Sequence, residues 1–540
     1  MEDWQHDVAS RAHSAPYPSV VLTRSMPKFS IITPVYNTPL SALRSCIASV
    51  KAQTFQDWEW CMVDDASPNS KVHAVLRKAA ASDPRIRVAF RSANGGIVAT
   101  SQDALDMATG EFVALLDHDD ELHPQALAKV AQRLAEDELV DYVYTDEDKI
   151  DDKGNHYDVF KKPTFDPVRL AAQNYCCHFS VFRSSLLDDV GGFRKGFDGS
   201  QDFDLILRAT ERARRIAHIG QVLYHWRAIP GSAASVHDAK PYAFDSAVKA
   251  SKEHMARTNQ QADVWMSDEG FIQIRPKVNE VPRVSIVIPT RGDAKRIWGV
   301  HTCLVEHAVN SILRQTTYTN YEIVVVHDYK DGAPIYNIDL GADPRVKVVP
   351  YQAPFNFSDK CNVGVKASSG DVIVLLNDDV QLVSPDWLET FVAMLQYEDV
   401  GMVGPMLLLE DGRIQSAGHT NIPTPHNVGS GLSSKSVGSF GMFALTRRVS
   451  GVTAACAAIS RDVYEELGGF SIDFPACFND LDFCYKLTES GRHIVWTPLV
   501  RLYHFESLTR DPTVQPHEMQ MLERRWKRMF GKEDYTRQSA

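Results

Sequence analysis

A run of apolar β-formers that ends abruptly in carboxylates occurs twice in this chain. It reads Gly110-Glu-Phe-Val-Ala-Leu-Leu-Asp-His-Asp-Asp120 and then Gly370-Asp-Val-Ile-Val-Leu-Leu-Asn-Asp-Asp379. Such a run needs apolar cover on both faces, as in a parallel sheet flanked by helices, so the acidic residues land at the strand's carboxyl end. Open α/β sheets bind their ligands along that edge. Carboxylates gathered there repel one another unless a cation or a bound proton offsets the charge, and a divalent metal holding a phosphate meets that need.

The recurrence extends beyond the acidic strand. Ser30-Ile-Ile-Thr-Pro34 matches Ser285-Ile-Val-Ile-Pro289, Gly191-Gly-Phe193 matches Gly468-Gly-Phe470, and Leu223-Tyr-His225 matches Leu502-Tyr-His504. Order is kept while the spacing between partners grows, as expected for tandem copies with loop insertions. In the first copy Phe29 to Pro34 reads as a strand, Leu40 to Gln53 as a helix and Trp58 to Val63 as a strand. A helix from Lys71 to Ala81 and a strand from Arg85 to Phe90 follow. This alternation implies right-handed βαβ units, and hence an α/β fold with two nucleotide-binding-type domains on mostly parallel central sheets.

A chain of 540 residues exceeds what one hydrophobic core supports. The expected divisions are a tail over 1–26, a first domain over 27–265, a linker over 266–280, a second domain over 281–515 and a C-terminal helix and tail over 516–540. The junction is placed by the polar run Asn259 to Gly270, after a helical stretch from Pro241 to Asn259. A formal net charge of -12, from 69 acidic against 57 basic residues, argues against a general nucleic-acid binder. Nine scattered cysteines fit reduced thiols in a cytoplasmic protein. No stretch approaches the roughly 20 apolar residues that cross a bilayer, and the polar start lacks a secretory run, so a soluble or peripheral protein is expected.

Several residues could carry chemistry. Asp64 and Asp65 close a β-run and should sit at the same sheet edge as Asp117 and Asp119, able to accept hydrogen bonds from a base or a ribose; helix capping by Asp65 or Ser67 is the plainer reading. Asn94-Gly-Gly96 is a tight turn that brings backbone near a ligand, or a turn only. Alternate residues of an extended segment face one side, so Asp117 and Asp119 can address one cation, Mg²⁺ or Mn²⁺, while His118 points away. Gly199-Ser-Gln-Asp-Phe-Asp204 and Cys477-Phe-Asn-Asp-Leu-Asp482 each open a helical pattern. Asp202 and Asp480 are the candidate general bases, and Asp204 and Asp482 are read as helix braces. His225 and His504 return late in each copy and could complete an Asp-Asp-His metal set.

At these motifs the sequence resembles the inverting glycosyltransferases of family two, over about residues 28 to 515, and among them the bacterial tandem transferases of O-antigen, capsule and rhamnan-type polysaccharides. The matching stretches of the first half are Thr33-Pro-Val-Tyr-Asn37, Val63-Asp-Asp-Ala-Ser67, Leu116-Asp-His-Asp-Asp120, Tyr144-Thr-Asp-Glu-Asp148 and Gly199-Ser-Gln-Asp-Phe-Asp204. In the second half they are Pro354-Phe-Asn-Phe-Ser358, Leu376-Asn-Asp-Asp379, Gln415-Ser-Ala-Gly418, Ala454-Ala-Cys456, Phe478-Asn-Asp-Leu-Asp482 and His504-Phe-Glu-Ser507. The resemblance implies two tandem GT-A domains using nucleotide-sugar donors (UDP-, dTDP- or GDP-linked), a glycan or lipid-linked glycan acceptor, and the cytoplasmic face of a bacterial inner membrane. It implies nucleotide contacts from Asp64 and Asp65, diphosphate held through a metal by Asp117 and Asp119, and Asp202 as the first base. In the second half Asp379 would hold the metal, Asp480 would be the base, and His504 would ligate metal or diphosphate. Pro34, Asn94, Pro289, Asn377 and Asp378 join the expected donor contacts.

Two departures bear on the second half. Asn377 replaces the first aspartate, and the strand end Val326-His-Asp-Tyr329 leaves only Asp328 for the base. A second domain that binds glycan or nucleotide without turnover is therefore the alternative to two active transferases. Near the end, Met519, Leu522, Trp526 and Met529 share a helical face, with Arg524, Arg525, Lys527 and Arg528 largely on others. That helix could rest on an anionic membrane, or pack its apolar stripe on the second domain, the favoured reading.

Overall fold

The computed structural model describes residues 26–228, 241–397, 399–505 and 514–532. The expected N-terminal tail up to residue 25, the last two residues of the His504 motif and the end of the C-terminal tail lie outside them.

Each half is a twisted sheet with helices on both faces. In the first, strand Phe29–Val35 lies between Trp58–Asp64 and Phe112–Leu115, with Ile86–Phe90 outermost, and all four run parallel. Beyond Phe112–Leu115 the sheet turns mixed. Ser180–Arg183 pairs antiparallel with that strand and with Val140–Ile150, which runs parallel to Arg215–Arg227. The expectation of a mostly parallel sheet thus holds for the central strands and not for the far half. The second half repeats the plan: Val284–Thr290 lies between Tyr321–Lys330 and Val372–Leu376, followed by Cys456–Ser460, Val400–Leu408 and His493–His504.

The strand sequences explain the layers. Phe29, Ile31 and Val35 pack into one core cluster, with Leu43, Cys46 and Val50 of helix Leu40–Lys51, while Ile32 and Val113 pack into another. Alternate side chains leave opposite faces, so a strand that is apolar at every position fills both layers.

The expected linker over 266–280 is largely ordered structure. Ala262–Met266 and Ile272–Pro276 pair as an antiparallel hairpin whose turn places Gly270 at φ 81°. Asp263, Asp268 and Glu269 are exposed, which made the segment read as a junction, whereas Gln273 is buried and donates to the Ala444 carbonyl. The halves interlock nearby: Leu445 is buried in the first half's core, Phe440 stacks on Phe160 with ring centroids 3.9 Å apart, and the Arg448 amide donates to Asp166 Oδ2 at 2.8 Å.

The C-terminal helix Pro516–Trp526 settles its own ambiguity. Leu522 and Trp526 are buried against Phe474, Leu481 and Tyr485 of the second half. Arg525 pairs with Asp473 and Asp482, and Arg528 with Glu489. Leu522, Trp526 and part of the basic face are therefore spent on the domain, while Met519 stays exposed.

Candidate active sites

In the first half the acidic strand end and the helix carrying Asp202 converge on one small pocket. Its walls include Pro34, Asp117, His178, Asp202 and Tyr224. Asp202 sits in the first turn of helix Gln201–Thr210 and accepts from Asn174 Nδ2 at 2.7 Å. Asp204, two residues on, is fully buried and bound by Arg194 and Arg208, the bracing role expected of it.

Residues 117–120 form a turn, with the Asp120 amide 3.4 Å from the Asp117 carbonyl. The strand alternation expected to turn His118 away from its neighbours therefore does not apply, and His118 Nδ1 lies 3.4 Å from Asp119 Oδ1. Burial pushes the Asp117 carboxyl up, with the Asp119 charge adding to it. Asp120 is pushed well up by burial and by Asp119 and Asp117, while accepting from the Tyr224 hydroxyl and the Arg227 amide. This crowding is relieved by a cation, so the residues fit one.

Sequence reasoning missed His178. Its ring lines the pocket and stacks over Tyr224, and Glu147 Oε2 meets its amide at 2.7 Å and its Nδ1 at 3.1 Å. Burial works against its charge, but Glu147, Asp120 and Asp117 raise its pKa to about 9. Glu147 is itself held at about 2, because Lys162 and His178 outweigh its burial. A protonated imidazole therefore faces the carboxylates.

At the nucleotide end the expected residues are turned inward. Asp64 Oδ2 accepts from the Ser67 amide and pairs with His73 Nε2, both at 3.0 Å. Asp65 accepts from the amides of Gly95 and Gly96 at 2.8 and 2.9 Å and pairs with Arg91, while Asn94 Nδ2 donates to its carbonyl. Neither Asp65 nor Ser67 caps the next helix; the Asn69 side chain does, accepting from Lys71.

His225 is not brought to Asp117 and Asp119. Its Nδ1 bonds Asp148 Oδ1 at 2.6 Å, and the same carboxylate's Oδ2 bonds His156 Nδ1 at 3.0 Å. Tyr224 reaches Asp120 and the Asp117 amide, so its strand neighbour points to the other face.

In the second half the set does assemble. His504 Nε2 lies 3.1 Å from both Asp379 Oδ1 and Asn377 Nδ2. Gln415 Oε1 accepts from His504 Nδ1 at 2.8 Å and fixes the ring. Asn377 Oδ1 is buried without a hydrogen-bond partner, an acceptor left open beside Asp379 and His504, so these residues also fit a cation. Gln415 stood in a quoted motif without an assigned role, and a side-chain amide two strands away gives no spacing signal.

Asp378 accepts from Thr290 Oγ1 at 2.6 Å, and burial with the Asp379 charge pushes its pKa up to about 7. Lys360 Nζ bonds Asp328 Oδ1 at 2.7 Å and the Thr290 carbonyl at 2.8 Å. Pro289 precedes Thr290 and is buried in the strand. Asp480 opens helix Asn479–Glu489, its Oδ1 accepting from the Leu481 amide at 2.8 Å and its Oδ2 3.4 Å from the Ala454 amide. His419, buried and thereby lowered in pKa, feels the Asp480 charge. Asp482 braces, pairing with Lys486 and accepting from Trp526 Nε1 at 2.8 Å. Glu518 of the C-terminal helix is fully buried and accepts the amides of Ala476 and Cys477, at 3.0 and 2.8 Å, just ahead of this turn.

Two sheets that each end in a metal-competent acidic turn beside a helix-borne aspartate define the GT-A class of nucleotide-sugar transferases. The chain belongs to glycosyl transferase family 2, whose family model matches residues 30–191 and 285–468, more than half its length. It is 40% identical over 528 residues to uncharacterized protein y4gI of Sinorhizobium fredii, covering 93% of this chain and 56% of that protein. It is 35% identical over 502 residues to the O-antigen biosynthesis protein RfbC of Myxococcus xanthus, covering 91% of this chain and 38% of the relative. Among solved structures, S. aureus TarS 1-349 in complex with UDP-GlcNAc is 21% identical, with a TM-score of 0.37 over 42% of this chain and 66% of that one. This chain thus spans about half, or less, of the curated relatives named.

Proposed function

We propose that each half transfers a sugar from a nucleotide-sugar donor to a hydroxyl of a growing bacterial surface polysaccharide, one linkage per half. The observation that carries this reading is the convergence, in one pocket, of Asp117 at the acidic strand end with Asp202 at a helix start. Asp202 and, in the second half, Asp480 deprotonate the acceptor hydroxyl as it attacks the anomeric carbon, which inverts. A divalent cation, Mg²⁺ or Mn²⁺, held by Asp117 and Asp119 in one half and by Asn377, Asp379 and His504 in the other, supplies charge that offsets the departing diphosphate. His178 presents a protonated imidazole to the same diphosphate. Gln415 holds His504 in one orientation and Asn174 holds Asp202 in another.

Donors linked to UDP, dTDP or GDP, and a glycan or lipid-linked acceptor, are the matching substrates. Among the described residues no helix is long and apolar enough to cross a membrane.

The decisive experiment is to make Asp202→Asn and Asp480→Asn separately in the full chain and map products by linkage analysis. Each change is expected to remove a different linkage, with a loss of about 10²–10⁴ in its rate. Identical products from the two variants would refute division of labour.

A second reading makes the second half a binding module. It is favoured by Asn377 in place of an aspartate and by the strand end Val326-His-Asp-Tyr329, where the single carboxylate Asp328 is paired with the buried Lys360. Release of nucleoside diphosphate by the full chain carrying Asp202→Asn would discount it.

A further inference from the structure

We infer that Asp148, His156 and His225 form a second cation site in the first half, for one divalent transition-metal ion of the zinc type, on the sheet face opposite the donor pocket. The inference does not depend on the transferase reading.

The placement is a row across neighbouring strands. His156 opens the edge strand His156–Phe160, Asp148 lies on the adjoining Val140–Ile150, and His225 is its direct register partner on Arg215–Arg227. His123, just past Glu121–Leu122 on the next strand, ends the row with its ring centroid 6.2 Å from that of His225. Donor atoms of the three ligands lie within 4.8 Å of one another, so small side-chain rotations bring them around one ion with bonds of about 2.0–2.1 Å. Sheet backbone positions all of them, which limits what must be ordered on binding.

The chemistry of the set favours a borderline metal. Two imidazoles and one carboxylate suit Zn²⁺, Co²⁺ or Ni²⁺, whereas Mg²⁺ and Mn²⁺ favour oxygen donors. The Asp148 side chain is only 8% exposed, and among the described residues its hydrogen-bonding side-chain partners are the two imidazoles, so within that set its charge has no fixed basic partner when both rings are neutral. A bound cation supplies one. The His156 side chain, 52% exposed, gives the ion a route in from solvent.

Strand alternation separates this row from the donor pocket. Tyr224 and Glu147 address Asp120 and His178, while His225 and Asp148, the next residue along each strand, address one another. The ion would tie three strands together behind the pocket without touching the donor.

The test uses the full chain carrying Asp117→Asn and Asp119→Asn together with Asp379→Asn and His504→Gln, which silence the cation sites of both donor pockets, stripped of metal and titrated with Co²⁺ while the visible d–d bands are recorded. One Co²⁺ per chain with nitrogen-ligand bands is expected. Adding His156→Ala or His156→Gln should weaken binding by more than about tenfold. Zn²⁺ should raise the unfolding temperature of the parent and not of the His156 variants. Absence of nitrogen-ligated bands in the parent, or unchanged affinity in both His156 variants, would overturn the site. So would cobalt binding that occurs only while Asp117 and Asp119 are intact, since that assigns the ion to the pocket. Circular dichroism of the His156 variants, altered at an exposed side chain, checks that they fold.

Discussion

In the first half four residues, 117–120, separate the Leu115-Leu116 pair from Glu121–Leu122; in the second three residues, 377–379, separate the matching Leu375-Leu376 pair from Val380–Leu382. The return strands then pair Glu121 with His225 and Val380 with His504. One extra residue reverses which side of the short strand faces the core. Leu122 and its partner Tyr224 are buried in the first half, whereas Val380, Leu382 and His504 are buried in the second. A strand repeats every two residues, so a slip of one exchanges faces. The same Leu-Tyr-His sequence thus presents tyrosine to the acidic turn in one half and histidine in the other. Two halves that share a plan have been given different tools for the same charge problem: a protonated His178 in the first, and His504 with Asn377 in the second.

The nucleotide ends differ as well, and this contrast should give the largest effect. Asp65 is held by two backbone amides and Arg91, whereas its register counterpart Asp328 depends on the buried Lys360. Lys360→Met should destabilise the chain by about 3–5 kcal/mol in urea unfolding, because it strands a buried carboxylate. Arg91→Met should cost under about 1 kcal/mol. Equal costs would erase the distinction.

Next in size is the histidine contrast. His504→Ala should lower formation of the second half's linkage by about 10–100-fold at limiting Mn²⁺, with Gln415→Ala moving the same way and less. His225→Ala should leave the first half's linkage in place. A matching loss from His225→Ala would mean that the ring swings into the pocket when donor binds.

A smaller change comes from Glu518→Ala, which leaves two loop amides without their acceptor and should cost about 1–3 kcal/mol. Its mark should be a slower second linkage with the first unaffected, read from the same linkage analysis.

The finest distinction is in pH. The His178 pKa is raised from 6.5 to about 9, so the stability it contributes is whole below pH 6.5 and lost as pH rises through about 9. Glu147, lowered to about 2, contributes above pH 4.5 and is lost as pH falls toward 2. Thermal unfolding followed from pH 6.5 to 10 should drop by about a few degrees, and the drop should vanish in His178→Gln. Asp378 of the second half, raised to about 7, loses its contribution at the lower end of that range, so an unchanged drop between about pH 8 and 10 in that variant would place its origin elsewhere.

Much of this was legible in the sequence. The duplicated Leu-Leu-acidic strands, the helix-borne Asp202 and Asp480 and their braces Asp204 and Asp482 all follow from burial and helix starts, which are local properties. His178 was not legible, because its charge is set by Glu147 and Lys162 across other strands. Nor was the fate of His225, since the extra residue of Asp117-His-Asp-Asp120 is visible in the sequence but which face the following short strand buries is not. The hairpin over 262–276 was hidden by the polar run Asp268-Glu-Gly270 at its turn and by Asp263, all exposed.

The grip of Glu518 on Ala476 and Cys477 has a consequence for how this chain comes into being. Translation delivers the strands of the first sheet early, yet the turn carrying Asp480 waits for a clasp made much later. Newly made protein should therefore acquire its two competences at different moments, the earlier centre ripening while the later one is still unfinished.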